Sequence, residues 1–113
     1  MTRLPAKHRP LERVSSVETK YGTVIASLWE TIASRRTADP EQSYTAKLLT
    51  GPEDQLLKKI GEEATEVVMA AKDADPDHLR YEVADLTYHL LVTLARHGVT
   101  PDDLAAELEA RFR

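Results

Sequence analysis

The chain has 113 residues, 15 basic and 19 acidic side chains, a net charge of −4, 42% apolar content and no cysteine. That length suits one small domain that gains buried surface by associating with a second subunit. The missing cysteines exclude a disulfide framework, a thiolate zinc site and a cysteine nucleophile, and with only Gly22, Gly51, Gly61 and Gly98 neither GxGxxG nor a Walker phosphate loop can be written.

Residues 1–20 carry five basic groups against two acidic ones, while the other 93 residues carry ten against seventeen. The start of the chain also holds Pro5 and Pro10 and few apolar residues, so it reads as a flexible basic N-terminal arm ahead of a helical domain over residues 21–113. It contains no apolar segment of the kind a secretory signal needs. The longest apolar run, Val67 to Ala71, is far too short to cross a bilayer. The acidic body lacks the basic footprint that nucleic-acid binding requires. A cytoplasmic protein with no membrane or nucleic-acid partner is expected.

Val24, Ile25, Leu28 and Ile32 recur at helical spacing and predict a first helix ending near Arg35. Asp39-Pro40-Glu41-Gln42 then reads as an N-cap, a proline at the first helical position and a capping-box glutamine. The short helix that follows is expected to stop where Gly51 turns left-handed. Pro52 restarts a longer helix to about Lys72, with Leu56, Leu57, Ile60, Ala64, Val67, Val68 and Ala71 on one side. Asp73 to Asp77 is a turn, and a fourth helix runs from about Asp77 to His97, closed by Gly98. Thr100-Pro101-Asp102-Asp103 caps a last helix carrying Leu104, Leu108 and Phe112. Nothing alternates at period two, so the fold class is all-α: an antiparallel bundle of about five helices.

The third helix carries Glu62, Glu63 and Glu66 and the fourth carries Glu82 and Asp85, a pattern of EExxE, fifteen residues, then ExxD. Spacing by three sets Glu63 beside Glu66 and Glu82 beside Asp85. At about 100° per residue, the apolar stripe of the third helix centres near Ile60 and Ala71, with Glu63 at its edge. The fourth helix is apolar nearly all round, through Leu79, Val83, Leu86, Leu90 and Leu94 on one face and Tyr81, Ala84, Tyr88, Leu91 and Val92 over most of the rest. Such a helix is buried on more than one side. Its narrow polar strip holds Glu82, Asp85 and His89, with His78 and Arg96 at the ends.

Antiparallel packing of these two helices brings the carboxylates face to face, where mutual repulsion demands raised pKa values or a bound cation. Oxygen ligands select a hard ion, Mg²⁺ or Mn²⁺. The bland reading of each group is a solvated helix face, and for His89 a helix-face histidine or a support for Asp85. Gly61 inside a helix suggests close approach of a backbone or ligand. Divalent ions of this kind favour polyphosphates, and Arg35, Arg36, Lys47, Lys58 and Lys59 are the basic groups available for phosphate. The dull alternative for Lys59 is an ion pair with Glu62 or Glu63.

SYTAKLL (Ser43 to Leu49), KKIGEEATEVVMAAK (Lys58 to Lys72) and EVADLTYHLLVTL (Glu82 to Leu94) closely resemble the phosphoribosyl-ATP pyrophosphatase family. This is a branch of the all-α nucleoside triphosphate pyrophosphohydrolases related to MazG. The resemblance implies Mg²⁺-dependent hydrolysis of phosphoribosyl-ATP to phosphoribosyl-AMP and pyrophosphate, the second step of histidine biosynthesis. It also implies a homodimer whose central bundle is built from both subunits. Transferred position by position, Glu63, Glu66, Glu82 and Asp85 are implied metal ligands, and Glu62 is a further ligand or the group that orients the attacking water. Lys59, Lys47 and Arg35 are implied phosphate contacts, and Ser43, Tyr44 and Thr45 shape the substrate pocket. The lack of cysteine implies the free-standing form rather than a fusion to a zinc-dependent cyclohydrolase. Two other readings stay open. A house-cleaning pyrophosphohydrolase would share the acidic pattern but not the SYTAKLL context, and a non-enzymatic bundle would dock a partner through the fourth helix.

Overall fold

The structure, a computed structural model, describes residues 20–112, so the expected arm lies outside the described residues except for Lys20. Five α-helices follow one another with no strand among the described residues: α1 (Lys20–Ser34), α2 (Tyr44–Thr50), α3 (Glu53–Lys72), α4 (Pro76–Arg96) and α5 (Pro101–Glu109), with one 3₁₀ turn, Arg35–Thr37, after α1. The all-α reading holds, and none of these helices is long and apolar enough to cross a membrane.

The core lies where α1, α2, the start of α3 and the last turns of α4 meet. Ile32, Leu48, Leu49, Leu56, Leu91, Val92 and Ala95 are buried there, with Ile25, Leu28, Trp29, Tyr88 and Leu94 packed against them. Val24, expected in the α1 stripe, is exposed. Two arginines lock the helices together through carbonyls. Arg96 Nη1 donates to Leu48 O at 2.8 Å and Gly51 O at 2.7 Å, and Arg36 Nη2 donates to Ala95 O. The bond to Leu48 O satisfies a carbonyl that the end of α2 leaves without a helical partner.

Several local expectations are corrected. Asp39 does not cap α2: its carbonyl accepts from Gln42 N and Ser43 N and its Oδ1 accepts from Glu41 N, closing a turn. The helix begins four residues later, with Ser43 as the N-cap accepting from Ala46 N at 3.1 Å. Gly51 is extended, with φ −82° and ψ −167°, and not left-handed. Pro52 imposes this, because the residue before a proline is driven out of the helical regions. Glycine is required there for space, since an added Cβ would meet Lys47 O at 2.7 Å. Gly61 faces open space, with nothing within 4 Å of an added Cβ, so no backbone crowds it among the described residues.

Both ends of the α3–α4–α5 run close with the same hydrogen-bond pattern. After α4, Gly98 N donates to Ala95 O and Val99 N to Leu94 O, with Gly98 at φ 72° as expected. After α3, Ala74 N donates to Ala71 O and Asp75 N to Ala70 O, with the non-glycine Ala74 at φ 53°. These are two Schellman stops, the second of which pays a Cβ penalty. Asp75 then caps α4 by accepting from His78 N, and Pro76 takes the first helical position. Thr100 and Asp103 form a reciprocal capping box on α5.

The largest correction concerns which side of α3 is packed. Its buried residues are Leu56, Glu63 and Ala70, spaced by seven, while Leu57, Ala64, Val68 and Ala71 are exposed. On α4, the buried set is His89, Leu91, Val92 and Ala95, while Val83 and Leu90 are exposed. The helix is thus covered on one side only within the chain. The two apolar stripes read from sequence are real, but much of each lacks a partner here. Ala74→Gly is expected to raise the unfolding free energy by about 0.5–1 kcal/mol and Gly98→Ala to lower it by about 1 kcal/mol. Urea denaturation checks both, and a loss of stability in Ala74→Gly would contradict the strain argument.

Candidate active site

α3 and α4 run antiparallel, which is visible in their paired side chains: Glu53 meets His97 at one end, Glu63 meets His89 in the middle, and Glu66 meets His78 at the other. This pairing sets the polar strip of α4 against the acidic face of α3, as the sequence requires. The packed face is centred on Glu63 itself and not on its apolar neighbours.

Glu63 is 8% exposed. His89 Nδ1 stands 2.7 Å from its Oε1 and 2.9 Å from the carbonyl of Asp85, so both oxygens share one nitrogen. With that nitrogen shared, Oε1 receives no well-aligned hydrogen bond, the one buried side-chain oxygen or nitrogen among the described residues of which this is true. Burial raises the Glu63 pKa above 4.5. The nearby His89 opposes that shift, Asp85 reinforces it, Lys59 opposes it and Glu82 reinforces it. The charges of Asp85 and Glu82 are therefore felt at Glu63.

One turn further along, His78 Nε2 lies 3.3 Å from Glu82 Oε1 and 4.0 Å from Glu66 Oε2. Ligand atoms of Glu66, His78 and Glu82 all fall within 4.8 Å of one another. His78 sits at the end of the polar strip in the sequence, and its spacing of four before Glu82 was the signal that could have placed it in the cluster. Glu63 and Asp85, the other two ligands expected from the sequence, are not part of that group. Two carboxylates and an imidazole that converge in this way fit a divalent ion.

The remaining sequence candidates divide. Tyr44, Lys58, Lys59 and Glu62 line one cavity of about 350 Å³ together with Leu48 and Gln55. Lys59 Nζ lies 4.0 Å from Glu62 Oε1, both half exposed, so the ion pair offered as its dull alternative is present. At such exposure a pair of this kind holds little energy and leaves the ammonium accessible. Tyr44 reaches past the cavity, its hydroxyl 3.0 Å from His89 Nε2. Burial, with Tyr88, Glu63 and Asp85 nearby, keeps that hydroxyl's pKa above its ordinary value. Thr45 Oγ1 bonds the Tyr88 hydroxyl and Ser43 is occupied as the α2 cap, so both support the wall without lining it. Arg35 contacts Ser34 in the 3₁₀ turn, Lys47 is exposed on α2, and neither lines the cavity. Arg36, another phosphate candidate, is committed to the α4 carbonyl described above.

Residues 25–112 match the family described as phosphoribosyl-ATP pyrophosphohydrolase. The chain belongs to that family. It is 50% identical over 93 residues to a phosphoribosyl-ATP pyrophosphatase of Nitrosomonas eutropha, covering 82% of this chain and 80% of the relative. Identity to the phosphoribosyl-ATP pyrophosphatase of Pelotomaculum thermopropionicum is 54% over 88 residues, or 78% of this chain and 90% of that one. The histidine biosynthesis bifunctional protein HisIE of Thermus thermophilus is 49% identical over 96 residues, which are 85% of this chain and 45% of that protein. For a pyrophosphohydrolase of this family, the acidic α3–α4 seam and the lysine-lined cavity are contiguous parts of one candidate site.

Because burial holds Glu63 above the ordinary carboxylate pKa, its ionisation opposes folding. That cost is absent at pH below the unfolded value and grows as pH rises through the folded one. In chelator, Glu63→Gln is expected to unfold at a higher temperature than the parent near about pH 7.5, with the gain fading towards about pH 4. Thermal melts across that range check the sign, and a variant weaker than the parent at neutral pH would refute it.

Proposed function

We propose that this chain is a Mg²⁺-dependent phosphoribosyl-ATP pyrophosphatase, with Mn²⁺ as a possible substitute. It hydrolyses the α–β phosphoanhydride of phosphoribosyl-ATP to phosphoribosyl-AMP and pyrophosphate in the second step of cytoplasmic histidine biosynthesis. The observation that supports it best is the convergence of Glu66, His78 and Glu82 along the seam that buries Glu63, next to a cavity carrying two lysines. Half-identity to pyrophosphatases over most of the chain supplies the substrate class.

In this reading Glu66 and Glu82, whose carboxylates share one position with His78, hold the cation, and Glu63 and Asp85 complete its ligand set. When bound, a divalent ion supplies Lewis-acid polarisation of phosphoryl oxygens and offsets the charge of the departing pyrophosphate. Lys58 and Lys59 take the polyphosphate at the cavity wall, where ammonium groups act as compact point charges. Glu62 is on the same wall, and as a half-exposed carboxylate it orients the attacking water and accepts its proton. The Tyr44 ring, half exposed at the cavity, gives the base or ribose a surface to lie against. Holding substrate and water in line in this way supplies much of the rate enhancement.

Glu82→Gln is expected to cut turnover at least about 100-fold while leaving the far-ultraviolet circular dichroism unchanged. The assay is pyrophosphate release from phosphoribosyl-ATP and from a panel of nucleoside triphosphates, with and without Mg²⁺. Near-normal turnover in the variant would remove the acidic seam from the mechanism. Preferential hydrolysis of the other triphosphates would reassign the chain to a house-cleaning role.

A homodimer belongs to the same proposal. Val68 and Met69 on α3 and Tyr81, Val83 and Leu90 on α4 are 42% to 64% exposed, more apolar surface on two adjoining helices than a small monomer usually leaves in water. A second copy of the same helices buries it and turns α4 into the doubly covered helix its sequence describes. Val68→Glu is expected to convert a dimer to monomer in sedimentation velocity. A monomeric parent would overturn the assembly.

A further inference from the structure

His89 touches both halves of the candidate site. On the α3 side, its Nδ1 is 2.7 Å from Glu63 Oε1 and 2.9 Å from Asp85 O. On the α2 side, its Nε2 is 3.0 Å from the Tyr44 hydroxyl. The ring is 6% exposed and clamped edge-on by Tyr88, with centroids 4.8 Å apart. The tautomer follows from the partners. A peptide carbonyl only accepts, so Nδ1 carries the proton and Nε2 is the nitrogen that meets the tyrosine hydroxyl. One N–H thus lies within reach of two oxygens, and one of them is the carboxylate oxygen that has no other donor.

We propose that His89 is a positioning residue: through Nδ1–H it fixes the Glu63 carboxylate between α3 and α4, and through Nε2 it ties that carboxylate to Tyr44 at the substrate cavity. This inference rests on the pyrophosphohydrolase reading of the acidic seam. A purely structural histidine would need only its ring, wedged beside Tyr88 and Tyr44. A positioning histidine needs its two nitrogens for different tasks, and the amide side chains separate them. In His89→Asn the amide nitrogen falls near the place of Nδ1. In His89→Gln it falls near the place of Nε2.

The experiment compares parent, His89→Asn, His89→Gln and Tyr44→Phe. Affinity for Mn²⁺ is measured without substrate by electron paramagnetic resonance, with kcat and KM on phosphoribosyl-ATP and the thermal midpoint alongside. His89→Asn is expected to stay within about threefold of the parent in Mn²⁺ affinity and kcat, whereas His89→Gln loses about 10-fold to 100-fold in both, the usual cost of removing a group that orients a metal ligand. Tyr44→Phe, which removes only a hydroxyl from a half-exposed ring and leaves folding intact, is expected to raise KM at least about threefold with Mn²⁺ affinity kept. Equal Mn²⁺ affinities in the Asn and Gln variants, or an unchanged KM in Tyr44→Phe, would overturn the proposal. A parent that binds Mn²⁺ but releases no pyrophosphate would instead sink the pyrophosphatase reading, and the Asn–Gln comparison of affinities would still decide the role of His89.

Discussion

A carboxylate buried between two helices, whose one nearby donor is shared with a peptide carbonyl, is the constraint from which the rest of this molecule follows. Glu63 is tolerated there because the opposing strip of α4 supplies His89 and because burial itself keeps its pKa high. Everything that fixes the α3–α4 register also fixes that arrangement. The Schellman stop at Ala74 and the Asp75 cap set the crossing at one end, and the contact of Glu53 with His97 marks the other. Structures do not usually spend a buried charge on stability, since an apolar pair of the same shape does as well or better. Its presence points to chemistry.

The α2 helix is the second element the site depends on. Only seven residues long, it would not hold a helical shape alone. It is held by Leu48 and Leu49 in the core and by Arg96 reaching its terminal carbonyls. That anchoring carries Tyr44 over His89 and sets the lysine-lined cavity directly against the acidic seam. SYTAKLL therefore has a physical account: a cap at Ser43, a Tyr44 hydroxyl against His89, a Thr45 hydroxyl braced on Tyr88, and a buried Ala46-x-Leu48-Leu49 underside.

Much of this was legible in the chain before any coordinates. Helix number, the antiparallel α3–α4 pair, the Gly98 stop, the Thr100 box and the facing carboxylates all follow from spacing and turn chemistry. The sequence misled where a local signal had two meanings. Asp39-Pro40 fits an N-cap or a turn, and three-dimensional context chose the turn. Gly51 fits a left-handed stop or an extended residue before proline, and Pro52 decided it. The stripe through Ala64 and Ala71 is apolar for a surface that the single chain does not cover, so periodicity alone centred the packed face wrongly. His78 and His89 were visible as polar interruptions of an apolar helix, but a one-dimensional pattern gives no partner to a histidine. Their contacts emerged only once Glu66, Glu82, Glu63 and Tyr44 were placed around them.

All five acidic candidates stand on one hairpin of two helices joined by a three-residue link, and neither α1 nor α5 contributes a carboxylate to the seam. Such a self-contained acidic cluster is portable: other protein can be appended beyond either outer helix without displacing a single acidic group. Less than half of the bifunctional relative from Thermus thermophilus corresponds to this chain, an arrangement that such a cluster tolerates.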